Sequence, residues 1–479
     1  MMKLYFLISV VASLANAAAA PKYKFPVCIV GAGVSGLTAA KALEDKGYKT
    51  VIFEKRDTVG GKCQSHYEDG QYFPLGAVLF TGSPSYAQTY AFVKSSGVAF
   101  DEFDPAFGYD YNPKTGAAAL MQPPSPATAQ ALQEELKRYA EVWQNKFALY
   151  AVPGYKNGVP KEFMVPGQDW LLANKFPIIA SIINRSAGNY GYGDYTQVPA
   201  LYYLQFYAPD IVGSFIGVIQ PYKTDFYKVL KRLARNLKGP VHLNTRIERI
   251  GMSAIARMRS ELTHIERKSK PSIQYRTAGS KEVKTQPCSD VILAFPPTSD
   301  ALKESGLCLS RAEKTLFSQV DVNGYFSSAV RMSHLGHNLS VSQELLNPLV
   351  PFKAEGQPVY LTPLHANSDI VNVYSVDDPA HPNAASVKKH LVQDLSKINR
   401  DLQKVNAKSV ALDAADIRAF SGNIPYFPHV SPDSLADGWY KKFNSIQGKE
   451  RTYFTSGLNS FELMEYTIRA ARDLVKTHF

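Results

Sequence analysis

Three glycines near the start of the chain have the spacing that lets a protein bind the phosphates of a dinucleotide. Gly31, Gly33 and Gly36 form the pattern G-x-G-x-x-G directly after the apolar run Val27–Val30. In such a unit the first glycine permits a tight turn and the second lets the backbone approach a pyrophosphate. The third lets the following helix pack closely against the strand. The pattern therefore predicts a phosphate-binding turn at the N-terminus of a helix.

An acidic residue stands at the tip of the next predicted strand. Glu54 follows residues 51–53, and a carboxylate at this place can accept hydrogen bonds from both hydroxyls of an adenosine ribose. The same charge repels a 2′-phosphate, so the sequence favours FAD or NAD over NADP. Residues 59–62, Val-Gly-Gly-Lys, add a second glycine pair, which is typical of two-domain flavoenzymes and is not expected in simple NAD dehydrogenases. We therefore predict FAD.

With this second glycine pair, the chain resembles the flavin amine oxidase superfamily. Residues 450–475 carry a matching motif: a strand at 453–455, a turn at Ser456 and Gly457, and a helix at 461–475. In the resembled family this element closes the FAD site, and the positive end of its helix points at the flavin ring. The resemblance implies an α/β chain with a Rossmann-like FAD-binding domain (GR2-type, flavin amine oxidase fold) and an interleaved α+β substrate domain.

The resemblance also implies how these two domains divide the chain. The FAD-binding domain is expected at residues 21–83, 221–298 and 426–479, and the substrate domain at 84–220 and 299–425.

The residues expected at the FAD site lie in the two glycine motifs, in a Gly-Ala segment that passes the flavin ring, in a strand that meets the adenine, and in the C-terminal motif. They are Gly31, Gly33, Val34, Ser35, Gly36, Glu54, Lys55, Gly60, Gly61, Lys62, Gly76, Ala77, Val78, Ile247, Gly457 and Phe461.

Further stretches are similar to the FAD-dependent polyenoic fatty acid isomerases and to secreted fungal β-cyclopiazonate dehydrogenase-like flavoenzymes. They include residues 59–65, 191–200, 426–431 and 438–440. We therefore expect an FAD-dependent oxidoreductase that takes a hydride from a carbon of a hydrophobic small molecule, with molecular oxygen as one candidate acceptor. The first alternative is a redox-neutral isomerase of polyunsaturated fatty acids, and the second is a non-catalytic FAD-fold binding protein.

Two departures from the resembled families bear on these alternatives. Family members often carry an acid after the closing glycine, where this chain has Leu458. The isomerases hold the fatty-acid carboxylate with an arginine, but residues 100–111 contain none, which weakens the expectation of a fatty-acid substrate. Covalent amine oxidases have a cysteine in the C-terminal loop and this chain has none, so we expect non-covalent FAD unless Cys63 is attached.

Aromatic residues supply the candidates for catalysis and for the substrate cavity. Tyr426, His429 and Trp439 are candidates for flavin-face aromatics or a proton-transfer group, with a structural hydrogen bond as the alternative for His429. The tyrosine-rich segment 187–207 predicts either a lining for an apolar substrate cavity or ordinary core packing.

The composition is typical of a globular protein and does not indicate nucleic-acid binding. The 479 residues are 45% hydrophobic and 20% charged, as in an ordinary globular protein with a sizeable core. The net charge of +11 is scattered rather than clustered, so we expect a solvated basic surface and no nucleic-acid partner.

The N-terminus and two sequons indicate export. Residues 1–20 contain a basic position, an apolar stretch and a small-residue cleavage site, which predicts a signal peptide and a secreted protein; a signal anchor is the alternative. No later stretch is long and apolar enough to predict a membrane span. Asn184 and Asn338 begin N-x-S sequons and are predicted glycosylation sites.

The four cysteines leave several possibilities open. Cys28 is expected to be a small buried residue, and Cys288 and Cys308 could pair in an oxidising compartment. Cys63 follows the second glycine pair, where a packed thiol is expected more than a covalent link to flavin. No Cys/His spacing suggests a metal site.

Overall fold

The structure is a computed structural model that describes residues 25–103, 107–112, 115–252, 270–333, 335, 339–343, 355–378, 380–398, 409–422 and 425–479. The predicted signal peptide and Asn338 lie outside these residues.

A five-stranded parallel sheet carries the N-terminal glycine motif. Its strands, in spatial order, are β10 (Val241–His242), β2 (Thr50–Phe53), β1 (Val27–Val30), β14 (Asp290–Leu293) and β21 (Thr452–Phe454). The central strands are buried and mostly apolar, as expected of a parallel sheet covered on both faces. This sheet brings the N-terminal and C-terminal motifs close together, with β14 between their strands.

Fourteen α-helices lie in the described part of the chain. They are α1 (Val34–Asp45), α2 (Ala87–Ser96), α3 (Pro126–Val142), α4 (Gly167–Ala173), α5 (Pro177–Asn189), α6 (Ala200–Phe206), α7 (Pro209–Phe215), α8 (Phe226–Arg235), α9 (Ser299–Glu304), α10 (Arg311–Phe317), α11 (Ala384–Leu395), α12 (Pro432–Ala436), α13 (Trp439–Ile446) and α14 (Met464–His478). Within these described residues, no helix combines the length and apolar character needed to cross a membrane. Helices α1 and α14 pack against each other beside the parallel sheet.

A larger mixed sheet of eight strands forms the second half of the fold. In spatial order it contains β19 (Ile417–Gly422), β15 (Asp321–Arg331), β18 (Ile370–Asp377), β17 (Pro358–Thr362), β16 (Leu339–Gln343), β7 (Phe107–Tyr111) and β8 (Ala118–Leu120), and β20 (Tyr426–His429) pairs with β15. Helix α11 covers one face through an apolar cluster that includes Phe326, Val371, Val373, Val387 and Leu391. The opposite face of the sheet is in contact with α5 and β4.

The remaining strands of the described residues form three smaller sheets. They contain β11 (Thr245–Met252), β12 (Pro271–Thr277) and β13 (Lys284–Pro287); β3 (Ser65–Glu68) and β4 (Gln71–Pro74); and β5 (Leu79–Thr81), β9 (Pro221–Thr224) and β6 (Phe100–Glu102). The assignment of residue ranges to two domains stays a prediction.

The cysteine pairing differs from the expectation. Cys28 and Cys288 form a disulfide with their Cα atoms 5.6 Å apart, so Cys28 is not a free buried thiol and Cys288 does not pair with Cys308. Cys308 is free and exposed, whereas Cys63 is free and buried. The physical reason is that β1 and β14 are neighbours, in a register that places Val27 opposite Asp290. Cys288, two residues before Asp290, therefore reaches the start of β1.

The C-terminal helix begins later than the sequence pattern suggests. Helix α14 starts at Met464, because Phe461 is held in an aromatic cluster before the helix, with its ring stacked on Phe206 at 5.2 Å.

The predicted glycosylation site Asn184 lies half-buried inside α5, and the hydroxyl of Ser186 donates to a carbonyl of the same helix.

Candidate functional site

A cavity of about 550 Å³ extends from the glycine motifs to the face of the large sheet that lies opposite α11. Its first end is lined by residues of both glycine motifs, by the tip of β2, by β11 and by the C-terminal turn. These include Gly31, Gly33, Val34, Ser35, Glu54, Lys55, Gly60, Gly61, Lys62, Gly76, Ala77, Val78, Ile247 and Gly457. Fourteen of the sixteen residues expected at the FAD site are thus brought together around one space.

The two glycine motifs lie against each other and leave a cradle without side chains. A Cβ atom added to Gly61 would lie 3.0 Å from the Cα of Gly33, and Gly31 has a φ of +106°, which favours glycine. A Cβ on Gly36 would lie 1.9 Å from the carbonyl oxygen of Gly31, so this residue serves the packing of α1 and does not line the cavity. Such close backbone approach leaves room for a pyrophosphate beside the start of α1.

Glu54 is held rigidly at the edge of this cradle. Its carboxylate is buried and accepts hydrogen bonds from the backbone N–H groups of Ala32 at 2.8 Å and Arg56 at 2.9 Å. Because a carboxylate has about four lone-pair sites, two backbone donors leave capacity for the hydroxyls of a ribose. The residue is therefore positioned for the role that the sequence predicts.

On the other side of the cavity, a half-buried carboxylate faces the closing turn. Glu462 accepts from the Lys62 ammonium group through Oε1 at 2.9 Å, while its Oε2 is buried without a hydrogen-bond partner. That free oxygen lies 2.6 Å from where a Cβ of Gly457 would stand. A buried acceptor without a donor costs about 1–3 kcal/mol, so a bound group that brings a hydroxyl or N–H would satisfy it. The ribityl hydroxyls of FAD fit this requirement.

The start of α14 presents further donors to the same space. Leu463, Met464 and Thr467 line the cavity, and the helix has no side-chain cap at its N-terminus. Its first N–H groups and the positive end of its dipole are therefore available to a negatively charged ligand atom. Phe461, which the sequence placed at the FAD site, lies behind this helix start and does not line the cavity. Together, the cradle, Glu54, Glu462 and the helix start fit FAD.

The second end of the cavity is walled by a row of five tyrosine rings. Successive ring centroids lie 5.9 Å apart for Tyr192 and Tyr426, 4.7 Å for Tyr426 and Tyr325, and 5.8 Å for Tyr325 and Tyr374. Tyr360 follows at 6.0 Å from Tyr374. Lys62 lies 5.4 Å from the ring centroid of Tyr426, so the row begins beside the Lys62–Glu462 pair. This tyrosine row gives the substrate end an aromatic wall.

Burial controls the protonation of the groups in this wall. It raises the pKa of Tyr426, Tyr325 and Tyr192 well above the ordinary tyrosine value. These phenols therefore stay neutral at physiological pH and can donate hydrogen bonds, but they do not act as bases. Burial also raises the pKa of the Cys63 thiol to about 12, so this cysteine is not a thiolate.

The three catalytic candidates are separated by the fold. Tyr426 lies in the tyrosine row, but His429 and Trp439 do not line the cavity. His429 Nδ1 donates to the carbonyl of Phe427 at 2.8 Å, because a carbonyl can only accept. Trp439 Nε1 donates to the carbonyl of Leu316 at 2.9 Å, which holds α13 against α10. In this structure both side chains have structural partners.

The tyrosine-rich segment combines the two roles that the sequence left open. Tyr190 and Tyr192 line the cavity, whereas Tyr202, Tyr203 and Tyr207 are buried in the core.

Sequence reasoning missed Glu462, Tyr325, Tyr360, Tyr374 and Asn372. The tyrosines and Asn372 lie on strands and belong to no sequence motif, so only the register of the large sheet brings them together. Glu462 carried a signal, since it was an acid close to the closing glycine.

Comparisons with known proteins agree with this geometry. Residues 34–176 match the model of the flavin containing amine oxidoreductase family. The chain is 26% identical to the FAD-dependent oxidoreductase dpchF of Colletotrichum higginsianum, covering 95% of this chain and 94% of that protein. It is also 26% identical to the polyenoic fatty acid isomerase of Ptilota filicina, over 51% of this chain and 54% of the relative.

Among solved structures, the fold is similar to the CLA-producing fatty acid isomerase from P. acnes. The TM-score is 0.77 at 20% identity, covering 95% of this chain and 99% of that one. These comparisons confirm the predicted resemblance and the predicted enzyme class, an FAD-dependent oxidoreductase with the isomerases as the alternative. The chain therefore has the flavin amine oxidase fold and resembles flavin containing amine oxidoreductases in sequence.

Proposed function

We propose that this protein takes a hydride from a carbon of a hydrophobic small molecule held against FAD. The observation that carries the proposal is that the glycine cradle and the tyrosine row open into one cavity. When bound, FAD supplies the hydride-accepting chemistry at flavin N5. The chain's own contribution is to position the substrate, exclude water and stabilise negative charge beside the start of α14.

The FAD is proposed to be bound without a covalent link. Cys63 is the free cysteine that lines the cavity, and burial keeps its thiol protonated. Its Sγ lies 3.7 Å from the sulfur of Met464, as expected of a packed thiol.

Oxidation of a secondary metabolite, similar to that of the β-cyclopiazonate dehydrogenase-like enzymes, is the favoured activity. The tyrosine row suits a flat aromatic or conjugated molecule. Among the described residues along this row, Lys62 is the basic side chain, and it is already paired with Glu462. This arrangement offers little to a fatty-acid carboxylate. Molecular oxygen is the proposed final acceptor.

The isomerase alternative rests on structural likeness to the isomerase from P. acnes. In that reaction the hydride returns to a different carbon of the substrate, so no external acceptor is consumed. Both reactions need the same cavity.

We also propose that the protein is exported. The disulfide between Cys28 and Cys288 suits an oxidising compartment and supports this proposal.

The test is a screen of oxygen uptake and ultraviolet spectra with amines, indole metabolites and polyunsaturated fatty acids. Active compounds are then mixed with the FAD-loaded protein without oxygen. Oxidation predicts lasting loss of the flavin's visible absorbance, which oxygen restores. A new conjugated diene or triene without oxygen uptake would favour the isomerase instead. If the protein holds FAD but no compound bleaches the flavin or becomes conjugated, the result would favour a non-catalytic binding protein.

A further inference from the structure

Beyond the tyrosine row, the cavity adjoins a small side chamber. The chamber has a volume of about 20 Å³ and shares Tyr190, Tyr360 and Tyr374 with the main cavity. Thr362, Leu364 and Asn372 line the chamber but not the main cavity. A water needs roughly 10–15 Å³ of such space, so the chamber holds one water-sized group.

The register of the large sheet explains why these side chains meet. Asn372 on β18 lies opposite Thr362 on β17, and Tyr374 lies opposite Tyr360. Side chains two residues apart on a strand point to the same face, so all four share one face. This face lies opposite α11, because Val373, the residue between Asn372 and Tyr374, belongs to the cluster on the α11 side. The tyrosine row therefore leads from the Lys62–Glu462 pair to Asn372.

Asn372, which lines the chamber, has a buried acceptor without a partner. Its Nδ2 donates to the carbonyl oxygen of Pro74 at 2.6 Å, and since a carbonyl can only accept, this contact fixes which end of the amide carries the hydrogens. The Oδ1 atom is left without a partner in the protein, although Asn372 is only 2% exposed. An unmet buried acceptor is unfavourable, so a donor in the chamber would be bound.

The chamber selects against a negatively charged group. No basic side chain is among the described residues that line it, and an amide oxygen repels a carboxylate. The hydroxyl of Thr362 makes only a long contact, 3.5 Å, to the carbonyl of Pro363. The surroundings therefore suit a neutral donor such as a hydroxyl or an N–H group.

We infer that the side chamber binds a neutral hydrogen-bond-donating end of the substrate, while the apolar body lies along the tyrosine row. Asn372 then acts as a specificity residue that accepts from a substrate hydroxyl or N–H. The inference rests on the proposed function, since it concerns the substrate of the same cavity. It assigns the substrate class as an elongated, unsaturated or aromatic molecule with a hydroxyl or amine group rather than a carboxylate.

Three probes with the same chain test this assignment: linoleyl alcohol, methyl linoleate and linoleic acid. Their binding to the FAD-loaded protein is measured without oxygen, from the shift in the flavin absorption spectrum and by equilibrium dialysis. The alcohol should bind about tenfold more tightly than the ester, as expected for about 1.4 kcal/mol from one hydrogen bond to a buried acceptor. The acid should bind more weakly than the alcohol.

Two variants remove the chamber's selectivity in different ways. Asn372→Leu deletes the acceptor, and Thr362→Ile fills the chamber while leaving the contact between Asn372 and Pro74 in place. Each should weaken alcohol binding about tenfold and leave ester binding nearly unchanged. Ser375→Ala is the matched control, because Ser375 is buried on the same strand but pairs with Phe326 on the opposite face. FAD content and melting temperature identify a variant that misfolds.

Equal binding of alcohol and ester, or an unchanged alcohol preference in Thr362→Ile, would show that the chamber holds only water. Tightest binding by the acid, or binding of none of the probes, would also overturn the inference. The proposed function fails separately, if no compound of the wider panel reduces the flavin or is isomerised.

Discussion

Glu462 directs one carboxylate oxygen toward Gly457 and the other toward Lys62. Leu458, which stands where related flavoenzymes often have an acid, is fully buried and faces the core. The carboxylate at this turn is therefore supplied four residues later along the chain. The residue directly after the closing glycine does not reveal this acid, because a short 3-10 turn from Gly457 to Asn459 brings the later residue back to the cavity.

Glu462→Leu should weaken FAD binding about tenfold, since it removes the acceptor oxygen and leaves Lys62 without its partner. Glu462→Gln keeps an acceptor and should lose less. Titration of the apoprotein with FAD, followed by flavin fluorescence, gives both affinities. Equal affinity of Glu462→Leu and the parent protein would show that this carboxylate does not contact FAD.

Glu68 provides a prediction that depends on pH. Hydrogen bonds from Arg418 and His66 lower the pKa of Glu68 from 4.5 to about 2. A carboxyl whose pKa is lower in the folded protein than in the unfolded chain stabilises the fold when the pH is above the unfolded-chain pKa. That stabilisation is lost as the pH falls from about 4.5 to about 2.

Glu68→Gln should therefore lower stability by less than about 1 kcal/mol at pH 7, and the difference from the parent protein should vanish near pH 2. Urea unfolding at pH 7, 4 and the lowest pH at which the protein stays folded measures this change. A difference that grows as the pH falls would contradict the account.

At the scale of elements, β1 and β14 are joined by hydrogen bonds and by the disulfide between Cys28 and Cys288. The sequence predicted both strands, because each is a short apolar run. It could not predict that they are neighbours, since 260 residues separate the two cysteines. The sequence also could not predict where α14 starts, because this depends on how Phe461 packs and not on the helical pattern.

Breaking this disulfide should destabilise the protein by about 3–5 kcal/mol, because the cross-link closes a very long loop. Cys28→Ala with Cys288→Ala, or a reductant on the parent protein, should lower the urea midpoint by similar amounts. Cys308→Ala is the control, because that exposed thiol has no disulfide partner. An unchanged midpoint under reducing conditions would contradict a stabilising role.

At the scale of the whole molecule, the parallel sheet and the large mixed sheet enclose one cavity from two sides. The FAD end could be predicted from the sequence, because its glycines and Glu54 are close together in short motifs. The substrate end could not, because Tyr325, Tyr360 and Tyr374 come from three strands whose neighbours are set only by the folded sheet. Long-range pairing thus decides which side chains meet the substrate.

The central claim is that FAD occupies the cradle between the two glycine motifs. FAD titration of apoprotein variants Gly33→Ala and Gly36→Ala, together with their melting temperatures, tests it most directly. A Cβ on Gly33 meets only the Cα of Gly61, at 3.7 Å, whereas one on Gly36 meets a backbone oxygen at 1.9 Å.

The account predicts that Gly33→Ala folds like the parent apoprotein but binds FAD at least about tenfold more weakly. Gly36→Ala should instead lose about 1–3 kcal/mol of stability, as overpacked sites do. Parent-like FAD affinity in a well-folded Gly33→Ala protein would contradict the claim.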